Sequence, residues 1–292
     1  MRAIDSQTQL CAVIGNPVSH SLSPHIHNAA FEAAGLNYVY LAFRVEDLPG
    51  CLAGMRALPG FRGLSVTIPH KQALIPLLDE VDPVALHIGS VNTVTSEGGR
   101  LLGMSTDGPG TLRAFEDAGI SLSGKRVLFL GTGGAVRAVA FAMAELAGVS
   151  QITLLGRTPA NVAQLAGDLR AAAVPCAVRE GALDADLPGE VAAHDVVING
   201  TPLGMYPENI GRTLVTSAML TPEHVVFDMV YRPLETQLLK EARTAGATVI
   251  TGLDMLVNQA MLQFERWTGI SAPRAAMWNA AMDALGESGP AA

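Results

Sequence analysis

From Gly124 onward the chain alternates short apolar runs with helix-patterned stretches, and that alternation leaves few folds open. Val127-Leu128-Phe129-Leu130 reads as a buried strand, and Arg137 to Ala147 as an alanine-rich helix. Ile152-Thr153-Leu154-Leu155 is a second strand, followed by a helix from Asn161 to Ala173. Val196-Val197-Ile198 and Val225-Val226-Phe227 continue the series, then a helix from Glu235 to Ala245 and a strand at Thr248-Val249-Ile250. Apolar strands separated by crossover helices imply a parallel sheet covered on both faces.

The first of these strands runs into Gly131-Thr132-Gly133-Gly134-Ala135, just before a helix. Glycines there let backbone N–H groups approach a dinucleotide pyrophosphate, and the helix N-terminus adds partial positive charge. Val136 takes the place of the usual third glycine, so the loop alone equally fits a tight structural turn. The strand before it, the helix after it and a second strand about 20 residues on favour the dinucleotide reading. An NAD site usually places an acid at the tip of that second strand, to hold the ribose 2′-OH. Here the tip is Gly156-Arg157-Thr158, with no acid. A guanidinium and a hydroxyl suit the 2′-phosphate of NADP. A solvated arginine at a strand end is the alternative.

The first 105 or so residues alternate less regularly. Ala12-Val13-Ile14, Tyr38 to Phe43, Leu64 to Ile68 (ended by Pro69) and Val91 to Val94 are strand candidates. Pro24 to Ala34 and Leu48 to Ala57 are helix candidates, and Met255 to Thr268 is a long helix. A small Gly/Pro/Ala tail follows Glu287. In Ser21-Leu22-Ser23-Pro24 the two serines point the same way if the segment is extended. Alternatively, Ser23 caps a helix that has Pro24 at its first position. Asp107, before Gly108 and Pro109, has a similar capping alternative.

A length of 292 residues fits one large domain or two ordinary ones. Hydrophobic content of 49% with 16% charged residues marks an ordered globular chain. A net charge of −8 argues against nucleic acid, whose phosphates demand clustered Lys and Arg. Cys11, Cys51 and Cys176 are odd in number and lack CxxC spacing, which reads as reduced thiols. The start, Met1 to Gln7, lacks an apolar signal region, and no run of about twenty apolar residues suggests a membrane span. The expectation is a cytoplasmic protein. His25 and His27, two apart, do not share a helix face, so no metal site is expected; His20 and His70 are expected at a pocket edge.

Several separated segments carry a more specific signal. They are Val13 to Pro24, Leu64-Ser65-Val66-Thr67-Ile68-Pro69-His70-Lys71, Ser90-Val91-Asn92-Thr93, Thr106-Asp107-Gly108, the glycine loop, Asp228 to Pro233 and Gly252 to Ala260. In this order they resemble the shikimate dehydrogenase family, from about Cys11 to Gly269. The resemblance implies an α/β fold of two domains: an N-terminal α/β substrate domain and a Rossmann-type doubly wound NADP-binding domain, with the active-site cleft between them. By that reading residues 1–107, joined by C-terminal helices 255–292, form the substrate-binding and catalytic domain, and 108–254 the NADP domain.

The resemblance also assigns roles. Lys71 is the catalytic residue and Asp107 its partner at the substrate hydroxyls. Ser21 and Ser23 take the substrate carboxylate, with Tyr231 adding its phenol; Thr67, Asn92 and Gln259 hold ring hydroxyls. Gly131, Thr132, Gly133, Gly134, Ala135, Gly156, Arg157 and Thr158 bind the cofactor. So do Thr201 (within Asn199 to Met205), Met229, Gly252 and Met255, near the nicotinamide half. The implied activity is reversible NADPH-dependent reduction of 3-dehydroshikimate to shikimate, in aromatic amino-acid synthesis. A relative acting on quinate or another analogue, with NAD, is the alternative. Retention of Lys71, Asp107 and Gln259 argues against a catalytically silent binding relative. The expected partner is the small-molecule substrate, without nucleic acid or membrane, and a homodimer is left open. Four positions bear on the family pattern: Ser65, where many bacterial members have Asn and other branches Ser, Ser105 for the usual Asn, Gly156 for the Asn of an Asn-Arg-Thr run, and Asn161 for a second arginine.

Overall fold

Two series of strands give two six-stranded sheets. The computed structural model describes residues 4–183 and 187–286, so Met1 to Ala3 and the Gly/Pro/Ala tail lie outside the described residues. The chain divides into two units. One comprises the chain up to Thr106 together with the segment from Val257 onward, and the other is Asp107–Leu256.

The first unit opens with β1 (Gln9–Gly15), α1 (Ser23–Ala33), β2 (Tyr38–Arg44), α2 (Leu48–Arg56), β3 (Phe61–Val66) and α3 (His70–Ala73). It continues with β4 (Glu80–Val81), α4 (Pro83–Ile88), β5 (Thr93–Glu97) and β6 (Arg100–Met104). The strand order is β2-β1-β3-β5-β6-β4. β1 is parallel to β2 and β3, whereas β5 is antiparallel to both β3 and β6. The antiparallel part follows from Gly98-Gly99, whose φ values of 58° and 82° are those of a tight two-residue hairpin turn. Ile14, Leu64, Leu74, Val91 and Val94 are fully buried in the core beneath this sheet.

Three local expectations are corrected here. The strand expected at Leu64–Ile68 stops at Val66, and Ile68 is 71% exposed ahead of Pro69, which has no N–H for a ladder. The strand expected at Val91–Val94 begins at Thr93 and runs on to Glu97. Leu22 is helical (φ −79°, ψ −13°), so Ser21 to Ser23 is not extended; Ser23 is the first helical residue and makes no cap bond.

The second unit holds α5 (Asp107–Asp117), β7 (Arg126–Leu130), α6 (Gly134–Leu146), β8 (Gln151–Gly156), α7 (Pro159–Ala171) and β9 (Ala177–Ala182). Then come α8 (Leu187–Ala192), β10 (Val196–Asn199), β11 (Val225–Asp228), α9 (Gln237–Thr244), β12 (Thr248–Ile250) and the start of α10 (Gly252–Thr268). Its strands are ordered β12-β11-β10-β7-β8-β9 and pair parallel throughout. β7 lies in the middle, with the chain winding outward on either side. Open sheets of this kind bind ligands at that reversal, beyond the strands' carboxyl ends. β9 carries Arg179 and Glu180 and is largely exposed, as suits an edge strand, so its apolar signal is weak.

From Val257 onward α10, and then α11 (Arg274–Leu285), belong to the first unit. Trp267 Nε1–H donates to the Val94 carbonyl at 3.0 Å, and the Phe264 ring lies 5.5 Å from Phe31. His27 is fully buried and stacks on Tyr40 with ring centroids 4.4 Å apart. Among the described residues no helix is long and apolar enough to cross a membrane.

Burial pushes the His27 imidazole down from 6.5 to about 3, partly offset by its hydrogen bond to Gln263. Between those values the unfolded chain binds a proton that the fold excludes, so stability falls as pH drops through this window. The slope is at most about 1.4 kcal/mol per pH unit for one group. His27→Gln should therefore lose Tm less steeply than wild type between pH 7 and 5. Parallel slopes in thermal melts would show that His27 does not contribute to the acid sensitivity.

Candidate active site

The first unit encloses a buried network of amides and hydroxyls. Asn92, just ahead of β5, is 3% exposed. Its Oδ1 accepts the Thr106 backbone N–H at 2.8 Å and the Thr93 hydroxyl at 2.7 Å. Its Nδ2 donates to Thr106 Oγ1 at 3.1 Å and to Gln259 Oε1 at 3.4 Å. One helical turn beyond Gln259, Gln263 donates to Thr93 Oγ1 at 2.9 Å and accepts from Ser65 at 2.8 Å. The Tyr40 hydroxyl donates to Ser65 at 2.6 Å and also contacts Ser23. Four segments are thereby tied together: β3 near its end, the start of β5, the backbone just before Asp107, and α10.

The other expected residues of this unit lie on turns nearby. Thr67 N–H donates to the Ile14 carbonyl, and the Thr67 carbonyl accepts from His70 N–H. The buried His70 ring donates through Nε2 to the Val45 carbonyl at 2.9 Å, whereas His20 is exposed. Lys71 sits in the short helix α3, half-buried, and its carbonyl accepts the Val91 N–H at 2.9 Å. Lys71 is thus bonded through its backbone to the residue preceding Asn92. Ser21 is half-buried, and its hydroxyl accepts the Ser23 N–H at 3.3 Å. Ser105 stands just before this segment, in the place of the family's usual Asn. The backbone between Ser105 and Asp107 is held by the Thr106 N–H on Asn92 Oδ1. Among the described residues no group of His, Cys, Asp or Glu could hold a metal ion.

In the second unit, Asp107 is buried at the start of α5, where its carbonyl accepts the Thr111 hydroxyl at 2.9 Å. The glycine loop joins β7 to α6. Gly131 has φ 105°, which side-chain-bearing residues rarely adopt, and its N–H donates to the Leu155 carbonyl at 2.7 Å. Gly133 and Gly134 are exposed, and a Cβ added at either would meet nothing within 4 Å. Gly133 is the N-cap of α6 and supplies no capping side chain. The first-turn N–H groups are thus unobstructed by side chains, as a pyrophosphate requires. Thr132 is half-buried and Ala135 exposed.

Two departures from the usual fingerprint have packing explanations. Val136, in place of a third glycine, is fully buried and fills the space over Gly200, where any Cβ would overlap its methyl. The close helix–strand approach is kept by moving the glycine to the strand side. At Gly156 a Cβ would lie 2.5 Å from Val162 Cγ2, so the stiff valine on α7 excludes the usual Asn. Arg157 and Thr158 follow, both exposed. Arg137, on α6, is engaged with Asp168 at 2.5 Å. The residues present fit a 2′-phosphorylated dinucleotide.

A second buried network holds the loop after β10. Asp228 is fully buried and accepts from Asn199 Nδ2 at 2.8 Å, Val230 N–H at 3.0 Å and the Thr236 hydroxyl at 2.6 Å. Burial pushes its carboxyl up, against the pull of those three donors. Asn199 Oδ1 in turn accepts from the backbone and hydroxyl of Thr201. Gly252 lies so near the 229–230 backbone that a Cβ would come within 2.6 Å of both carbonyls. Met255 is buried and Met229 half-buried beside Gly200. Burial raises the Tyr231 phenol, opposed by Arg232.

Comparison with known proteins matches residues 13–94 to the shikimate dehydrogenase substrate binding domain and 252–282 to the shikimate 5′-dehydrogenase C-terminal domain. A shikimate dehydrogenase (NADP(+)) of Moorella thermoacetica is 50% identical over 296 residues, covering 100% of this chain and 99% of its own. The chain belongs to the shikimate dehydrogenase family. A solved member from Thermus thermophilus, in complex with NADP(H) and shikimate, is 38% identical with a TM-score of 0.83, covering 95% of this chain and 100% of its own. A quinate dehydrogenase from Corynebacterium glutamicum, in complex with NAD, is 33% identical with a TM-score of 0.88, covering 94% and 99%.

Sequence reasoning gave no role to four residues that hold the site in place: Tyr40 and Gln263, and Thr93 and Asp228, which it quoted only as members of the family segments. Gln263 was findable, because it stands four residues after Gln259 and so shares its helix face. Replacing Arg157 by Ala should weaken NADP⁺ binding by about 10- to 100-fold, the range for a lost charge-assisted bond, and leave NAD⁺ nearly unchanged. Titration of both nucleotides checks this. Equal losses would make Arg157 a surface residue.

Proposed function

We propose that this enzyme catalyses the reversible NADPH-dependent reduction of 3-dehydroshikimate to shikimate. One observation carries the reading. A single chain holds a buried array of hydroxyls and amides suited to a polyhydroxylated acid, and a glycine loop with unobstructed helix N–H groups followed by Arg157-Thr158. Full-length identity of 50% to a protein named for this reaction supports it.

NADPH, when bound, supplies the hydride. Lys71 supplies the proton to the carbonyl oxygen as alkoxide character builds there, and takes it back in the reverse direction. Asp107 accepts a hydrogen bond from the neighbouring substrate hydroxyl. Ser21, Ser23 and Tyr231 bind the carboxylate; Thr67, Asn92 and Gln259 bind ring hydroxyls. Gly131, Thr132, Gly133, Gly134 and Ala135 hold the pyrophosphate. Gly156, Arg157 and Thr158 hold the 2′-phosphate, while Thr201, Met229, Gly252 and Met255 border the nicotinamide. The first unit is the substrate domain and the second the NADP domain. The same reading makes the enzyme cytoplasmic, with no nucleic-acid or membrane partner, and leaves a homodimer open. A quinate-oxidising, NAD-using activity is the second reading, favoured by likeness to the Corynebacterium quinate dehydrogenase.

Initial rates at 340 nm, with shikimate and quinate each against NADP⁺ and NAD⁺, test the proposal. Turnover with shikimate and NADP⁺ alone is expected; preference for quinate and NAD⁺ would select the second reading. Lys71→Ala should lower kcat by roughly 10²–10⁴ with little change in KM, as for a lost acid/base. Unchanged turnover would remove Lys71 from the mechanism.

A further inference from the structure

The buried network of the first unit runs in one direction, and two backbone groups fix that direction. Thr106 N–H only donates, so the Asn92 atom it meets at 2.8 Å is Oδ1. The Asn92 carbonyl only accepts, so the Gln263 atom 3.5 Å from it is Nε2, which turns Oε1 toward Ser65. That orientation of the two amides carries over to the hydroxyls between them. Ser65 donates to Gln263 Oε1 and therefore accepts from Tyr40. Thr93 accepts from Gln263 Nε2, so its own proton goes onward, to Asn92 Oδ1 at 2.7 Å or Thr106 Oγ1 at 3.1 Å. Asn92 Nδ2 finally donates to Gln259 Oε1. His27 reinforces the start of the chain. Its Nε2 faces Gln263 Oε1 at 3.3 Å and must carry the proton, while Nδ1 has no partner.

We propose that Gln263 is a positioning residue of this enzyme, acting through Thr93 on Asn92 and Gln259. The relay Tyr40–Ser65–Gln263–Thr93 connects Ser23, at the carboxylate end of the substrate, with the amides at its ring hydroxyls. It also sets their polarity. The side-chain oxygens of Asn92 and Gln259 both accept from protein donors, and Asn92 Nδ2 donates to both Thr106 Oγ1 and Gln259 Oε1. Hydrogen bonds in such a chain polarise one another, so a change at one end alters the other. Ser65, which accepts from Tyr40 and donates to Gln263, is the junction. The inference rests on the function proposed above.

Gln263→Glu separates a directional role from packing, since it keeps the shape and removes the donor to Thr93. A buried carboxyl has a raised pKa, and once protonated it donates again. At pH 9 the KM for shikimate should rise about tenfold relative to wild type, the effect of one lost hydrogen bond, with kcat nearly unchanged. That ratio should fall back toward one as the pH is lowered to 6. Gln263→Leu should raise KM at every pH. A ratio for Gln263→Glu that stays at one, or stays as flat as that of the leucine variant, would overturn the proposal. Should the Gln263 variants fail to fold, Thr93→Val should raise KM about tenfold and Thr93→Ser restore it; a wild-type KM in Thr93→Val would overturn it. Wild-type turnover of shikimate with NADP⁺ is measured first. Its absence would sink the parent reading and this one together, whereas normal wild-type kinetics with unaltered variants would sink this one alone.

Discussion

The hydrogen bond from the Thr106 backbone to Asn92 Oδ1 is the constraint on which the first unit's polar interior depends. A buried amide costs several kcal/mol if left unsatisfied, so each of its partners is under strong restraint. Asn92 engages both ends of its side chain, and each partner draws in a further element: β5 through Thr93, the backbone before Asp107 through Thr106, and α10 through Gln259. Gln263 then closes the network back onto β3 through Ser65. The result is a polar interior inside an otherwise apolar core, with the orientation of the Asn92 and Gln263 amides settled by backbone groups that cannot reverse.

The second unit solves a different problem, close approach. Its glycine loop departs from the usual fingerprint, yet the close packing is kept. Val136 occupies the third glycine's place because Gly200 yields the space opposite. Asp228, buried with three donors around it, holds Asn199 and through it the Thr201 turn. A carboxylate so placed organises loops while taking no part in the chemistry proposed here.

The parallel sheet of the second unit was legible because its central strands are buried on both faces and read as unbroken apolar runs. β9 was not, because an edge strand carrying Arg179 and Glu180 has no such run. The β5–β6 hairpin has its sequence signal in Gly98-Gly99, but β5 buries Thr93, Val94 and Thr95 in succession and so lacks the alternation of a half-buried hairpin strand. The motif residues themselves were legible through resemblance. Their supports were not, since Tyr40, Thr93 and Gln263 act through contacts across 25 to 198 residues of chain that no local pattern encodes. The two readings of Ser21 to Ser23 both failed for a local reason: Leu22 enters the helical region early and makes Ser23 the first residue of α1.

A double-mutant cycle between Tyr40→Phe and Thr93→Val, followed by denaturant unfolding, tests the directional network most directly. The two residues share no hydrogen bond, yet both belong to the chain that passes through Ser65 and Gln263. The account predicts a coupling of about 1 kcal/mol between them, transmitted along the relay. Additivity within about 0.5 kcal/mol would contradict it, and would reduce the chain to independent pairs.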